Sequence, residues 1–398
     1  MPCPAVSPER GCRSKKRRSE NPAANYANDA NGAQTKFFDA PRSRHWRNSW
    51  LDFWHIMRLN EGGFSMTYRF LVSMCCLAAV IAISWLPGSS LGQAPAKTWT
   101  PPHTPDGQPE IQGTWSFATI TPLERPADLA GKEFFTEKEA AEYEKDVVLR
   151  NNKDRRDGSA EADVGRAYND FWWDSGTKVV KTRRTSLVIE PPDGRIPPLT
   201  PAARERQAER AAQNRGHEFD GPENRPLPER CLVMQGSGPP VLPTAYNNNT
   251  QIVQGPGYVA ILIEMGHETR VIPLDGRPHL PKDVRLWKGD SRGHWEGETL
   301  VVETTNFTNK SAFRGTSENM RLIERFKRMD ANTLLYQFTV EDPATFAKPW
   351  TVEIPVPKSE GRIFEYACHE GNYGMFGALA GARAEEKKAA ANGNKSSK

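Results

Sequence analysis

Long apolar runs are almost absent: the 398-residue chain has one, Phe70–Leu86, with the sequence FLVSMCCLAAVIAISWL. Cysteine is scarce too. Cys3, Cys12, Cys75 and Cys76 precede residue 93, which leaves Cys231 and Cys368 alone downstream. No HExxH or close CxxC spacing occurs, so a metal site would have to be assembled from separate strands, and no cofactor is expected. A strong charge is also lacking. The net charge is +4, but residues 1–92 contribute +6 and residues 93–398 contribute −2. With no basic motif interleaved with aromatics, this balance argues against nucleic-acid binding. At 37% hydrophobic and 9% aromatic residues, the chain is too apolar to be disordered throughout.

The apolar run suits a secretory h-region or a short membrane span. Met66 precedes it, and Ser90-Leu91-Gly92 places small residues where a signal peptidase cuts, so residues 66–92 read as a signal peptide. If translation starts at Met1, a signal anchor is the alternative, because Arg42, Arg44, Arg47, Arg58 and Arg69 lie before the run and Lys97 follows it closely. Residues 1–65, with the basic run 13–18, read as a low-complexity extension or a wrongly assigned start. Either way residues 93–398 are expected in the periplasm or outside the cell, in contact with the membrane only through residues 70–86 if these are retained. In such a compartment Cys231 and Cys368 are expected to form a disulfide; a thiol nucleophile beside His369 is the alternative.

Residues 93–110 are Pro-rich and read as a linker, residues 111–380 as one β-rich domain, and residues 381–398 as a frayed tail. Thr136 with Glu139 is a capping-box pattern opening a helix over 137–150. Thr200, Pro201 and Gly216 bracket a second, surface helix. Strands are predicted over 111–120, 185–190, 258–265, 269–274, 299–305, 322–329, 333–340, 350–354 and 363–368. Short strands at this spacing, without alternating βα units, predict an antiparallel barrel or sandwich with two or three peripheral helices, and not a Rossmann or TIM-type fold. Gly113-Thr114-Trp115 near the first strand resembles the G-x-W start of lipocalins, which implies a Trp plugging a barrel end; a glycine turn before a core Trp has the same letters.

The polar cluster at 264–270 falls at a turn between two apolar runs, and the segment 368–373 follows the last predicted strand. A His beside a carboxylate can act as a general base, and an Arg or Tyr can hold an anionic or sugar-like ligand. The candidate catalytic residues are therefore His267, His369, Glu264 and Arg270. Tyr246, Asn248, Arg277, His279, Trp295, Glu370, Asn372 and Tyr373 are the candidate ligand-binding residues. Gly289-Asp290-Ser291-Arg292-Gly293 matches the nucleophile-elbow pattern G-x-S-x-G, but it leads towards a strand where the elbow needs a helix, so a β-turn is the expected structure.

Residues 191–197 (PPDGRIP), 272–279 (IPLDGRPH), 289–297 (GDSRGHWEG), 304–307 (TTNF) and 368–373 (CHEGNY) together resemble a family of exported bacterial hypothetical proteins of unestablished activity. The resemblance spans about residues 110–385. It implies export and a β-rich domain, and transfers no mechanism. Three readings stay open: a lipocalin-like barrel binding a small sugar-like or aromatic ligand in its mouth; a lyase, isomerase or hydrolase on the same barrel using His chemistry; and a non-catalytic envelope protein.

Overall fold

The computed structural model describes residues 99–396 except 157, 166–168 and 312. The described residues all lie in the second of the chain's two units, 93–398. The expected extension, signal peptide and anchor lie outside the described residues. Among those described, no helix is long and apolar enough to cross a membrane.

Among the described residues, ten strands form two antiparallel sheets. The smaller contains β1 (Gly113–Ser116), β3 (Asn249–Gly255), β4 (Tyr258–Ile263) and β5 (Glu268–Pro273), in the order β1-β3-β4-β5. The larger contains β2 (Val188–Glu190), β6 (Asp290–Glu296), β7 (Thr299–Thr305), β8 (Arg321–Asp330), β9 (Thr333–Glu341) and β10 (Trp350–Pro357), in the order β2-β10-β9-β8-β7-β6. Alternation makes these strands one-sided. Leu334, Tyr336, Phe338 and Val340 of β9 are buried, while Leu335, Gln337 and Thr339 between them are only half-buried. Ile252, Val259, Ile261 and Ile272 of the smaller sheet join these residues in one continuous core. Trp115 is fully buried in that core, and its indole N–H donates to the Ile111 carbonyl at 3.1 Å. Trp115 is thus a core tryptophan.

The expected barrel is not closed. Among the described residues no ladder joins β5 to β6, and β1 reaches the segment after β10 only through an isolated bridge between Trp115 and Lys358. Side chains fill the β5–β6 seam instead: a Cβ placed on Gly293 of β6 would stand 2.7 Å from Leu274 and 2.9 Å from Ile272. Apolar packing over a glycine replaces backbone pairing there.

Four α-helices occur among the described residues: α1 (Glu137–Asn151), α2 (Ala160–Gly165), α3 (Pro201–Asn214) and α4 (Tyr373–Ser396). Thr136 and Glu139 make the reciprocal capping box at the start of α1, and Thr200 caps α3. The tail expected to fray is helical through Ser396. Its alanines favour the helix, and Arg383 ties it to the Phe219 and Asp220 carbonyls at 2.8 and 3.2 Å. Part of the expected linker is also ordered against the domain, where the Gln254 side-chain amide donates to the Pro109 carbonyl at 3.1 Å. Residues 363–368 do not form the predicted strand. Phe364 makes its backbone bonds with the side chains of Glu264 and His267, which takes it out of any ladder.

Candidate functional site

Cys231 and Cys368 form a disulfide with a Cα–Cα distance of 5.8 Å, so no thiol nucleophile stands beside His369. The bridge brings the 229–231 segment beside the start of α4, and Asn372 adds a bond from its amide to the Glu229 carbonyl at 2.7 Å.

The sequence-predicted histidines do not gather at one pocket. His267, in a left-handed turn with φ 51°, is exposed and its Nδ1 lies 3.1 Å from the Phe364 carbonyl. His369, Glu370 and Tyr373 are exposed around the disulfide. Glu264 is buried and accepts from the Asn249 backbone N–H at 3.2 Å and its side-chain amide at 3.0 Å, which makes it a brace between segments. Arg277 pairs with Asp275. His279 Nδ1 stands 2.9 Å from Asp290, and its Nε2 is 3.5 Å from Glu303. Arg321 binds that same Glu303 and holds its carboxyl below the usual range. Arg270 is committed to a buried ion pair with Glu324. Ser291 is buried in strand β6, where its hydroxyl meets that of Thr304 at 2.9 Å. Residues 290–296 are therefore a strand, neither an elbow nor the expected turn.

A large concavity lies elsewhere. A cavity of 1330 Å³ is walled by α1, α3 and connecting segments from Thr119 to Arg314, with no strand residue in its lining. It is thus not the mouth of a barrel. Leu123, Leu187, Met234, Leu242, Phe307 and Phe313 give it apolar surface, while Lys153, Arg210, Lys288, Lys310 and Arg314 give it five cations against Asp170 and Asp174. This combination suits an organic ligand with an apolar body and a polar or anionic end.

Two predicted ligand residues support this wall from behind. Asn248 accepts from the Thr244 backbone N–H at 2.8 Å and donates to the Thr244 and Asp174 carbonyls, pinning two lining segments together. Tyr246 packs edge-to-face on Trp173, over which the Lys153 ammonium also lies, 4.4 Å from a ring centroid. Burial raises the Asp174 carboxyl, and the charge of Glu264 adds to the effect.

The Lys288 side chain is mostly buried at the cavity wall. Its Nζ lies 2.6 Å from Glu268 and 3.3 Å from the Ser237 hydroxyl. Burial pulls it below the ordinary lysine value and the Arg270 charge adds to this, against the opposing pull of Glu268. Composition and spacing do not mark Lys288; only the Trp287-Lys288-Gly289 context was visible. A second, smaller cavity of 330 Å³ lies where Trp295 meets Tyr258, Gln254, Gln108 and His294. Among the described residues no three His, Cys, Asp or Glu side chains gather as a metal-holding group.

Comparison with protein-family models, curated proteins and solved structures finds no match for this chain.

Proposed function

We propose that residues 93–398 act outside the cytoplasm as a binding domain for a small organic ligand, largely apolar and carrying one polar group. The observation that carries this reading is the 1330 Å³ cavity with its apolar wall and its five cations. That volume exceeds the roughly 300–1,000 Å³ of ordinary small-molecule pockets, so a ligand of several rings or a long chain fits. The disulfide supports an oxidising compartment, and the resemblance to exported proteins agrees with it. A catalytic role at the same cavity is the second reading, favoured by the contact of Lys288 with Glu268.

The test is binding of a fluorescent naphthalene sulfonate, together with mass spectrometry of any ligand that survives purification. One saturable site is expected, and Leu242→Trp, which fills the cavity, should weaken binding at least tenfold. Binding unchanged in that variant would place the ligand elsewhere and remove the proposal.

A further inference from the structure

Lys288 faces the cavity with a side chain only 13% exposed, and its partner Glu268 is half open at 49%. Arg270, two residues beyond Glu268 on β5, is fixed by two hydrogen bonds to Glu324. An amine becomes a better nucleophile when it is desolvated, and the Lys288 side chain is largely withdrawn from water at the cavity wall. The other cavity lysines differ: Lys310 is exposed, and Lys153 is committed to the face of Trp173.

Resting on the cavity reading above, we propose that Lys288 binds an aldehyde or ketone covalently as an imine, with Glu268 as the proton carrier. The ammonium gives a proton to the Glu268 carboxylate, 2.6 Å away, and the freed nitrogen lone pair attacks the carbonyl carbon. A C–N bond forms, the carbonyl π pair moves to oxygen, and that oxygen takes the proton from Glu268. The nitrogen then loses a proton to Glu268, the carbinolamine hydroxyl leaves with a returned proton as water, and C=N forms. The sum is ammonium plus carbonyl giving protonated imine plus water, with Glu268 returned to its carboxylate and no oxidant or reductant, and water reverses it. Ser237, whose hydroxyl donates to the Met234 carbonyl at 2.8 Å, accepts from Nζ at 3.3 Å and helps to hold the nitrogen in place.

The experiment treats the full-length protein with 2-naphthaldehyde and cyanoborohydride at neutral pH and reads the modified lysines by peptide mass spectrometry. Lys288 should label at least tenfold faster than any exposed lysine, and excess 2-naphthalenemethanol, which has no carbonyl, should suppress that label. Lys288→Arg should lose it, and Glu268→Gln should slow it at least tenfold; the competition arm needs no variant to fold. Labelling of Lys288 no faster than the exposed lysines, with 2-naphthalenemethanol still bound, would overturn the imine and leave the cavity reading standing. Failure of both label and alcohol to bind would overturn the two together.

Discussion

Glu324 of β8 and Arg270 of β5 meet in a two-point ion pair between the sheets, at 2.5 and 3.1 Å. The carboxylate is fully buried, Tyr336 donates its hydroxyl to it at 2.8 Å, and the Val241 backbone N–H donates to that hydroxyl at 3.0 Å. Glu324 takes the inward register between Leu322 and Phe326, so the strand pattern itself sends a charge into the core. Removing one partner leaves the other charged and buried. Glu324→Ala should therefore destabilise the domain by about 3–5 kcal/mol, whereas Arg270→Met with Glu324→Leu should recover most of that loss. Urea unfolding of the single and double variants measures it; equal losses in all of them would show that the pair is not a closed unit.

Lys288 gives a pH dependence of definite sign. Its folded-state value lies below the ordinary 10.5, burial being the main cause, so between the two values the folded protein holds fewer protons than the unfolded chain. Stability then rises with pH across that window, and below it the full penalty for burying the ammonium persists. Lys288→Met should be at least as stable as the wild type near pH 7, and its advantage should narrow as pH approaches 10. Urea midpoints of the two proteins across that range check this. A gap that widens with pH would mean that Glu268 governs the ammonium more than burial does.

The disulfide spans a sequence separation of 137 residues. Chain entropy values such a loop at about 5 kcal/mol, an upper figure for its stabilisation. Cys231→Ser with Cys368→Ser should lower the unfolding free energy by a few kcal/mol, read by urea melts with and without reductant. The wild type under reductant should approach the double variant, and a reductant effect that persists in the double variant would locate the sensitivity elsewhere.

Strands β7, β8 and β9 were legible because their alternating residues bury one face against a continuous core. Two strands were not. In β3 only Thr250 and Ile252 are buried, and the run of Asn and Gln around them masks the period. In β6 the buried positions Ser291 and Gly293 are small because Ile272 and Leu274 occupy the space above the glycine, so no apolar signal remains. The two downstream cysteines named their own partner. The cavity stayed hidden because its lining comes from loops and helices between Thr119 and Arg314, a placement made by tertiary packing. Choosing His267 and His369 by residue type led away from it, while Tyr246 and Asn248 fell just behind its wall.

Gly293 tests the seam between the sheets. The residue has no left-handed φ, so a side chain is excluded there by space and not by backbone conformation. An added methyl would meet Ile272 Cγ2 at 2.9 Å and Leu274 Cδ2 at 2.7 Å. Leu274 can turn its end away, but Ile272 is β-branched and fully buried, so β5 must shift or the core must strain. Gly293→Ala should destabilise by about 1–3 kcal/mol. Ile272→Ala, which removes the Cγ2 methyl that the added carbon would meet, should show a favourable coupling with it in a double-mutant cycle of urea melts. Simple additivity of the two substitutions would mean that β5 and β6 do not share the packed contact that takes the place of a ladder.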